Sequence, residues 1–397
     1  VSGEGYFANT SGGAFNMNLP AGVAGAIVSV ADYAATFQTN NLTVVPNGTD
    51  KIGSLNLNAT LDVKGQSVTF VFVDSTQGWI NTMDSTSNVR GGSYIIATGG
   101  TPSQDGDYEI RTFTGPGTFE VTGLSDIPAN NTLDYLVVAG GGGSSCNGGG
   151  GGGAGGFRLS NATCMPAPLT SPLATPTGIT ATITSYPIVV GGGGPGSPPG
   201  TPGVQGSDSS GLGITSSGGA AGKNSNAGAG VTGGSGGGGS GTGTGGAGNT
   251  PPVSPPQGNA GGNGFDGTTS STNGGGGGGA GGAGCNAAAF QGGNGGIGSF
   301  VVAAGLGGCN GTPGPAASTR YFAGGGGGAT QPAATPPATG GTGGSGGGGS
   351  GSGNTNGAGT TGTTNTGGGG GGGSTIATPG NSFSGGSGIV IIRYKSQ

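Results

Sequence analysis

The chain has no histidine. Without an imidazole, neither a serine nor a cysteine nucleophile can be given the base that ordinarily activates it. Glycoside hydrolysis by two carboxylates needs no histidine, but beyond residue 138 the only acids are Asp208 and Asp266. The pair would have to be those two or come from the N-terminal region. There, Asp105, Asp107 and Glu109 surround a Gly-Asp turn and read as solvated turn residues. The expectation is a protein that is not an enzyme.

Metal and cofactor chemistry fares no better. Three of the four cysteines, Cys146, Cys285 and Cys309, sit in Cys-Asn pairs, and with Cys164 they show no CxxC spacing. If the thiols are oxidised, proximity in the chain pairs Cys146 with Cys164 and Cys285 with Cys309. Gly261–Asp266 matches one turn of a calcium β-roll, which binds metal only when such turns stack. The GxGxxG matches lack the strand-to-helix setting that binds phosphate. No cofactor is expected.

Binding residues are easier to find. Arg320-Tyr321-Phe322 follows a proline tract, and arginine and aromatic side chains carry much of the energy at interfaces and stack on sugars. Phe383 is a further contact candidate, with Phe290 and Phe300 behind it. The competing reading is that these few bulky residues plug the rim of a glycine-rich body.

That body must position everything else. Of 110 glycines, 92 follow residue 138, in runs such as Gly148–Gly153, Gly274–Gly279 and Gly367–Gly373. Charged residues are 6% of the chain and the net charge is −5, so the segment lacks the charge that keeps disordered chains soluble. A basic patch for nucleic acid is missing too. No apolar run reaches membrane-spanning length, and the start at Val1 without a signal pattern reads as a processed or trimmed product.

Collagen requires glycine at every third position, which these runs violate. A bundle of polyglycine II helices fits: each left-handed threefold helix makes no internal hydrogen bond, so its amides must bond to neighbouring helices that the missing side chains allow close. Ordering a residue costs about 1–2 kcal/mol against about 0.5–1.5 per net hydrogen bond, so such a bundle needs outside support.

Support is legible at both ends of the glycine region. Strand-like runs fall at 5–7, 14–19, 27–32, 42–45, 68–73 and 79–82, then at 94–97, 108–112, 117–121 and 133–139. Phe70 and Phe72 alternate with Val71 and Val73, which predicts a strand buried on both faces. The chain closes on the apolar run 389–394, and two apolar strands bracketing the glycines predict that the ends meet in one sheet. The expected fold is all-β: an N-terminal β-sandwich (1–83), a second β region (84–139) and a β-framed polyglycine II helix bundle (140–397) closed by strand 389–394.

Residues 3–82, from Gly3-Glu4-Gly5-Tyr6-Phe7 through Leu19-Pro20-Ala21-Gly22, Ile27-Val28-Ser29-Val30-Ala31-Asp32-Tyr33 and Gly78-Trp79, resemble a β repeat of tail-fibre proteins from cyanophages and related marine phages. The second half resembles their glycine-rich domain, from Asp134-Tyr135-Leu136-Val137-Val138-Ala139-Gly140 through Gly155-Gly156-Phe157-Arg158 to Gly388-Ile389-Val390-Ile391-Ile392-Arg393-Tyr394. The resemblance implies a phage tail-fibre or adhesin protein on the virion surface or otherwise extracellular. Its expected partners are other fibre or virion proteins and a host surface glycan or protein, met through loops of the glycine-rich domain. It also implies a homo-oligomer, a trimer being one form, while charge and hydropathy leave no nucleic-acid partner and no membrane insertion to expect. The alternative is a self-assembling structural fibre subunit without receptor binding, and a third reading is a polysaccharide-degrading tailspike.

Overall fold

A computed structural model describes residues 2–85, 94–160, 171–198, 201–224, 229–267, 271–314, 318–331, 337–354, 357–374 and 382–397. It is an all-β protein whose contacts divide it into two compact units, Val1–Gly92 and Ser93–Gln397. The strands of residues 94–138 therefore belong with the glycine-rich region.

In the first unit a four-stranded sheet runs Glu4–Ala8, Ile27–Asp32, Ser67–Phe72, Trp79–Ser85, and a three-stranded sheet runs Phe15–Asn18, Leu42–Val45, Ala59–Leu61. Val28, Val30, Phe70 and Phe72 from one sheet meet Leu42, Val44 and Leu61 from the other in one apolar cluster. Trp79 packs edge-on against Phe72 with ring centroids 5.4 Å apart. The strand Ser67–Phe72 is buried on one face only, because Val71 is half-buried and Val73 is 45% exposed. Its apolar outer residues satisfy strand propensity without being core. The strand Ala59–Leu61 was not legible, being three residues long with only Leu61 buried.

The second unit is framed by the bracketing strands. Thr132–Val138 and Ile389–Lys395 pair antiparallel, with Asp134 opposite Arg393 and Val138 opposite Ile389. They are central in a sheet ordered Ala174–Thr175, Phe157–Ser160, Thr132–Val138, Ile389–Lys395, Tyr108–Phe113, Thr101–Asp105. One face packs Val137, Val390, Ile392 and Tyr394 against a three-stranded sheet of Thr184–Ile188, Gly117–Gly123 and Ile96–Thr98, through Phe119, Val121 and Ile188. The other packs Leu136, Val138, Ile389 and Ile391 against Ala154, Ala280 and Phe322 at the base of the glycine region. Burial on both faces is why these strands read as continuous apolar runs.

From Val138 the chain enters a lattice of extended glycine segments. The amides of Gly150, Gly153 and Gly156 donate to the carbonyls of Lys223, Ala220 and Ser217, each at 2.8 Å. Those of Gly151 and Ala154 donate to Gly275 and Gly278 at 3.0 and 2.9 Å, and those of Gly152 and Gly155 to Gly370 and Gly367 at 2.8 and 2.9 Å. Every third residue thus faces the same neighbour, the signature of a threefold helix, and none of Gly149–Gly156 has positive φ. The neighbours run both ways: residue numbers rise along 275–278 but fall along 223–217. The same repeat holds at Gly274, Gly277 and Ala280, which donate to Ala329, Gly326 and Ala323. A Cβ on Gly152 would lie well inside 3.0 Å of the Gly142 carbonyl, so close approach excludes any side chain there.

Several amides outside this backbone lattice are met by side chains instead. Asn263 Oδ1 accepts from Gly245 at 2.9 Å, and Asn286 Oδ1 accepts from Asn263 at 2.8 Å. Elsewhere Asn294 Oδ1 accepts from Thr342 and Thr360 Oγ1 from Ser350, both at 2.9 Å.

Candidate functional site

Two helices of the lattice are joined by an insertion that returns to the sheet. Ser299–Val302, Thr319–Phe322 and Thr312–Pro313 form a small antiparallel sheet, and Ala303–Gly307 makes a single π-helical turn between strands. This insertion holds the sequence-predicted triplet. Arg320 is half-buried and its Nε donates to the Gly308 carbonyl at 3.3 Å, bracing the loop after the π turn. Tyr321 is half-buried with its ring 5.6 Å from that of Phe300, its opposite residue in register. Phe322 is fully buried in the apolar cluster beneath the sheet. Strand alternation separates Tyr321 from Phe322: in a strand, neighbouring side chains point to opposite faces, and Phe322 points to the core.

Phe383 is elsewhere. Its N–H donates to Ser144 Oγ at 2.9 Å and its carbonyl accepts from Ser144 N at 3.0 Å, so it belongs to the lattice near the end of the first glycine segment. That segment leaves the sheet at Val138 and climbs about 3.1 Å per residue, which carries Ser144 and Phe383 towards the end of the bundle opposite the sheet. Phe290 lies in a turn, Ala288–Gln291, where its carbonyl accepts from Thr339 at 2.9 Å. The structure thus does not bring the contact candidates into one site. At the end away from the sheet, Gln331 bonds Asn147, Asn273 Nδ2 donates to Ala288 O at 2.7 Å, and Ser240 Oγ donates to Gly148 O at 2.7 Å. Asn and Gln amides tie those turns together.

A concavity of the second unit, about 490 Å³, lies between the edge strand Thr101–Asp105 and the loop that Arg320 braces, Gly305–Asn310. Ser103, Gln104, Thr112, Thr114 and Asn310 line it around an apolar floor of Ile110 and Leu306, which are 5% and 1% exposed. Sequence reasoning missed the wall strand, since Thr101–Asp105 contains Pro102 and nothing apolar enough to show alternation. Its flanking glycines, Gly99-Gly100 and Gly106, all at positive φ, were the available signal.

Behind this strand lies the main charge cluster. Glu109 is no solvated turn residue: its Oε1 pairs with Arg111 Nη2 at 2.7 Å and its Oε2 accepts from Tyr394 Oη at 2.8 Å. Burial, with smaller opposing effects of Arg111 and Glu109, pushes the Tyr394 phenol up to about 12. Arg393 pairs with Asp134 at 3.7 Å and lies 3.5 Å over the Tyr108 ring. Buried charges here are compensated within the sheet, which is a structural use of them.

The thiols Cys146, Cys285 and Cys309 are free, so the expected Cys285–Cys309 bridge is not formed. Cys285 is held in the lattice, where its carbonyl accepts from Gly276 at 3.0 Å, while Cys309 sits in the cleft loop. Cys164, and with it the second pairing, lies outside the described residues. Among the described residues no three His, Cys, Asp or Glu side chains gather as a metal site requires, and no helix is long and apolar enough to cross a membrane.

A search of curated proteins finds no match to the chain. A family model described as a glycine-rich domain matches residues 112–395, taking in the bracketing strands, the lattice and the cleft loop, and the chain therefore belongs to this glycine-rich domain family.

Proposed function

We propose that the chain is a non-enzymatic fibre or adhesin protein of a phage, carried on the virion surface, whose glycine-rich domain presents loops to a host surface glycan or protein. The observation that carries this reading is the lattice itself: helices clamped to one another through backbone hydrogen bonds hold the intervening turns on a stiff support. Backbone bonding makes few demands on turn sequence, so the turns are free to vary while the support stays constant. The resemblance of residues 3–82 and of both ends of the glycine region to marine phage tail-fibre proteins points the same way.

A self-assembling fibre subunit without receptor binding is the second reading. The side-chain acceptors on Gly245, Asn263, Thr342 and Ser350 favour the first, because they occupy amides that lateral growth of a glycine lattice would use. Saturating purified protein is expected to block adsorption of the phage that carries it. Undiminished adsorption, or long filaments of the isolated chain in electron micrographs, would overturn the proposal.

A further inference from the structure

We infer that the cleft between Thr101–Asp105 and Gly305–Asn310 binds a neutral oligosaccharide. This builds on the host-surface reading by naming the ligand class and its place. Ser103, Asp105, Thr112, Thr114 and Asn310 line the cleft, the strand residues among them on the face of Ile110, and none of their side chains hydrogen-bonds another described protein group. Several amide side chains elsewhere in this unit are engaged: Asn259, Asn263, Asn273, Asn286, Asn294 and Gln257 each hold backbone groups. Unused donors and acceptors converging on one concavity are what a polyhydroxylated ligand satisfies.

Charge narrows the class. One acid, Asp105, and no lysine or arginine lines the cleft, so an anionic ligand would meet repulsion with no compensating cation. A carboxylate accepts well from sugar hydroxyls. A peptide adding a strand to Thr101–Asp105 is disfavoured, because Pro102 has no N–H to give the new ladder. The volume, about 490 Å³, falls in the range of about 300–1,000 Å³ that encloses small ligands. Arg320 acts as a positioning residue, holding the Gly308 carbonyl and so the cleft loop.

Cys309 is exposed at the cleft and serves as its reporter. Maltopentaose, cellopentaose, laminaripentaose and mannopentaose are titrated into the full chain, with trigalacturonate as the anionic control. Binding is read by saturation-transfer NMR and by the rate of Cys309 alkylation, resolved by peptide mapping. At least one neutral sugar is expected to bind and to slow Cys309 alkylation several-fold. A Thr112→Ala/Asn310→Ala variant with an unchanged unfolding midpoint should bind at least tenfold more weakly. No binding by any neutral sugar, equal binding of trigalacturonate, or full binding by the variant overturns the inference. If no neutral sugar binds and the chain still blocks adsorption, the cleft assignment fails and the adhesin reading survives. A sugar bound in the cleft of a chain that blocks no adsorption leaves the cleft assignment standing and removes the adhesin reading.

Discussion

Gly152 and Gly192 lack a side chain for different reasons. At Gly152 a Cβ would strike the Gly142 carbonyl, whereas at Gly192 nothing lies within 4 Å and φ is not positive. Gly152→Ala should therefore destabilise the second unit by about 1–3 kcal/mol through overpacking. Gly192→Ala should leave it unchanged or raise it by up to about 1 kcal/mol, since alanine restricts the unfolded chain. Urea unfolding midpoints of the two variants measure the contrast; equal losses would mean the lattice is not close-packed where the geometry says it is. The thiols differ in the same local way. Burial pushes the Cys146 thiol up, with a smaller opposing effect from a hydrogen bond involving Ser382, while Cys285 and Cys309 are exposed. Iodoacetamide at neutral pH should label Cys285 and Cys309 promptly and reach Cys146 only on unfolding, as peptide mapping would reveal. Tyr394 gives a pH signature. Its phenol holds its proton more tightly in the fold than at the ordinary value of 10.0. Its stabilising contribution is complete below pH 10 and declines as pH rises through about 12. Between pH 10 and 12 the wild type should lose more stability than Tyr394→Phe, in thermal melts of both proteins.

At the scale of elements, strands with strong apolar patterning were legible and the polar ones were not. Ile27–Asp32 and Leu42–Val45 coincide with their expected bounds, and the bracketing strands pair as their positions demanded. Thr101–Asp105 escaped because an edge strand with an exposed face can be polar throughout. Two-sided burial was expected of the strand around Phe70 and is found at Val138 and Ile389 instead. Alternating aromatic and β-branched residues fit a half-exposed strand as well as a buried one, so the pattern alone does not separate them. The asparagine acceptors have their own test. An Asn263→Ala/Asn286→Ala variant frees the amides of Gly245 and Asn263 on neighbouring helices. Unsatisfied amides on a glycine lattice resemble an open sheet edge, which invites pairing with another chain. Sedimentation velocity should show concentration-dependent association for the variant beyond that of the wild type. Unchanged sedimentation would mean these asparagines only solvate the surface.

Across the whole molecule, stability is lopsided. The lattice trades ordering entropy for hydrogen bonds at close to even terms, whereas the apolar clusters lie at the two faces of the bracketing sheet. The glycines are thus held by their ends. Hydrogen exchange should find the amides of Gly150–Gly153 and Gly274–Gly279 protected to nearly the same free energy as those of Leu136 and Ile391, because both open only when the sheet does. Exchange at the rate of a free chain would return the glycine runs to the status of a linker. What the sequence determined by itself was the class of backbone: glycine at this density, without charge and between two apolar strands, leaves a close-packed threefold helix as the conformation that satisfies every amide. The contact residues were a matter for the tertiary structure. Arg320, Tyr321, Phe322 and Phe383 were chosen for side-chain type, but burial, face and end of the bundle follow from strand register and lattice neighbours. Those neighbours lie up to hundreds of positions apart, as Gly142 and Gly370 do. A glycine helix offers the same three faces at every turn, so no local pattern says which neighbour each face will meet.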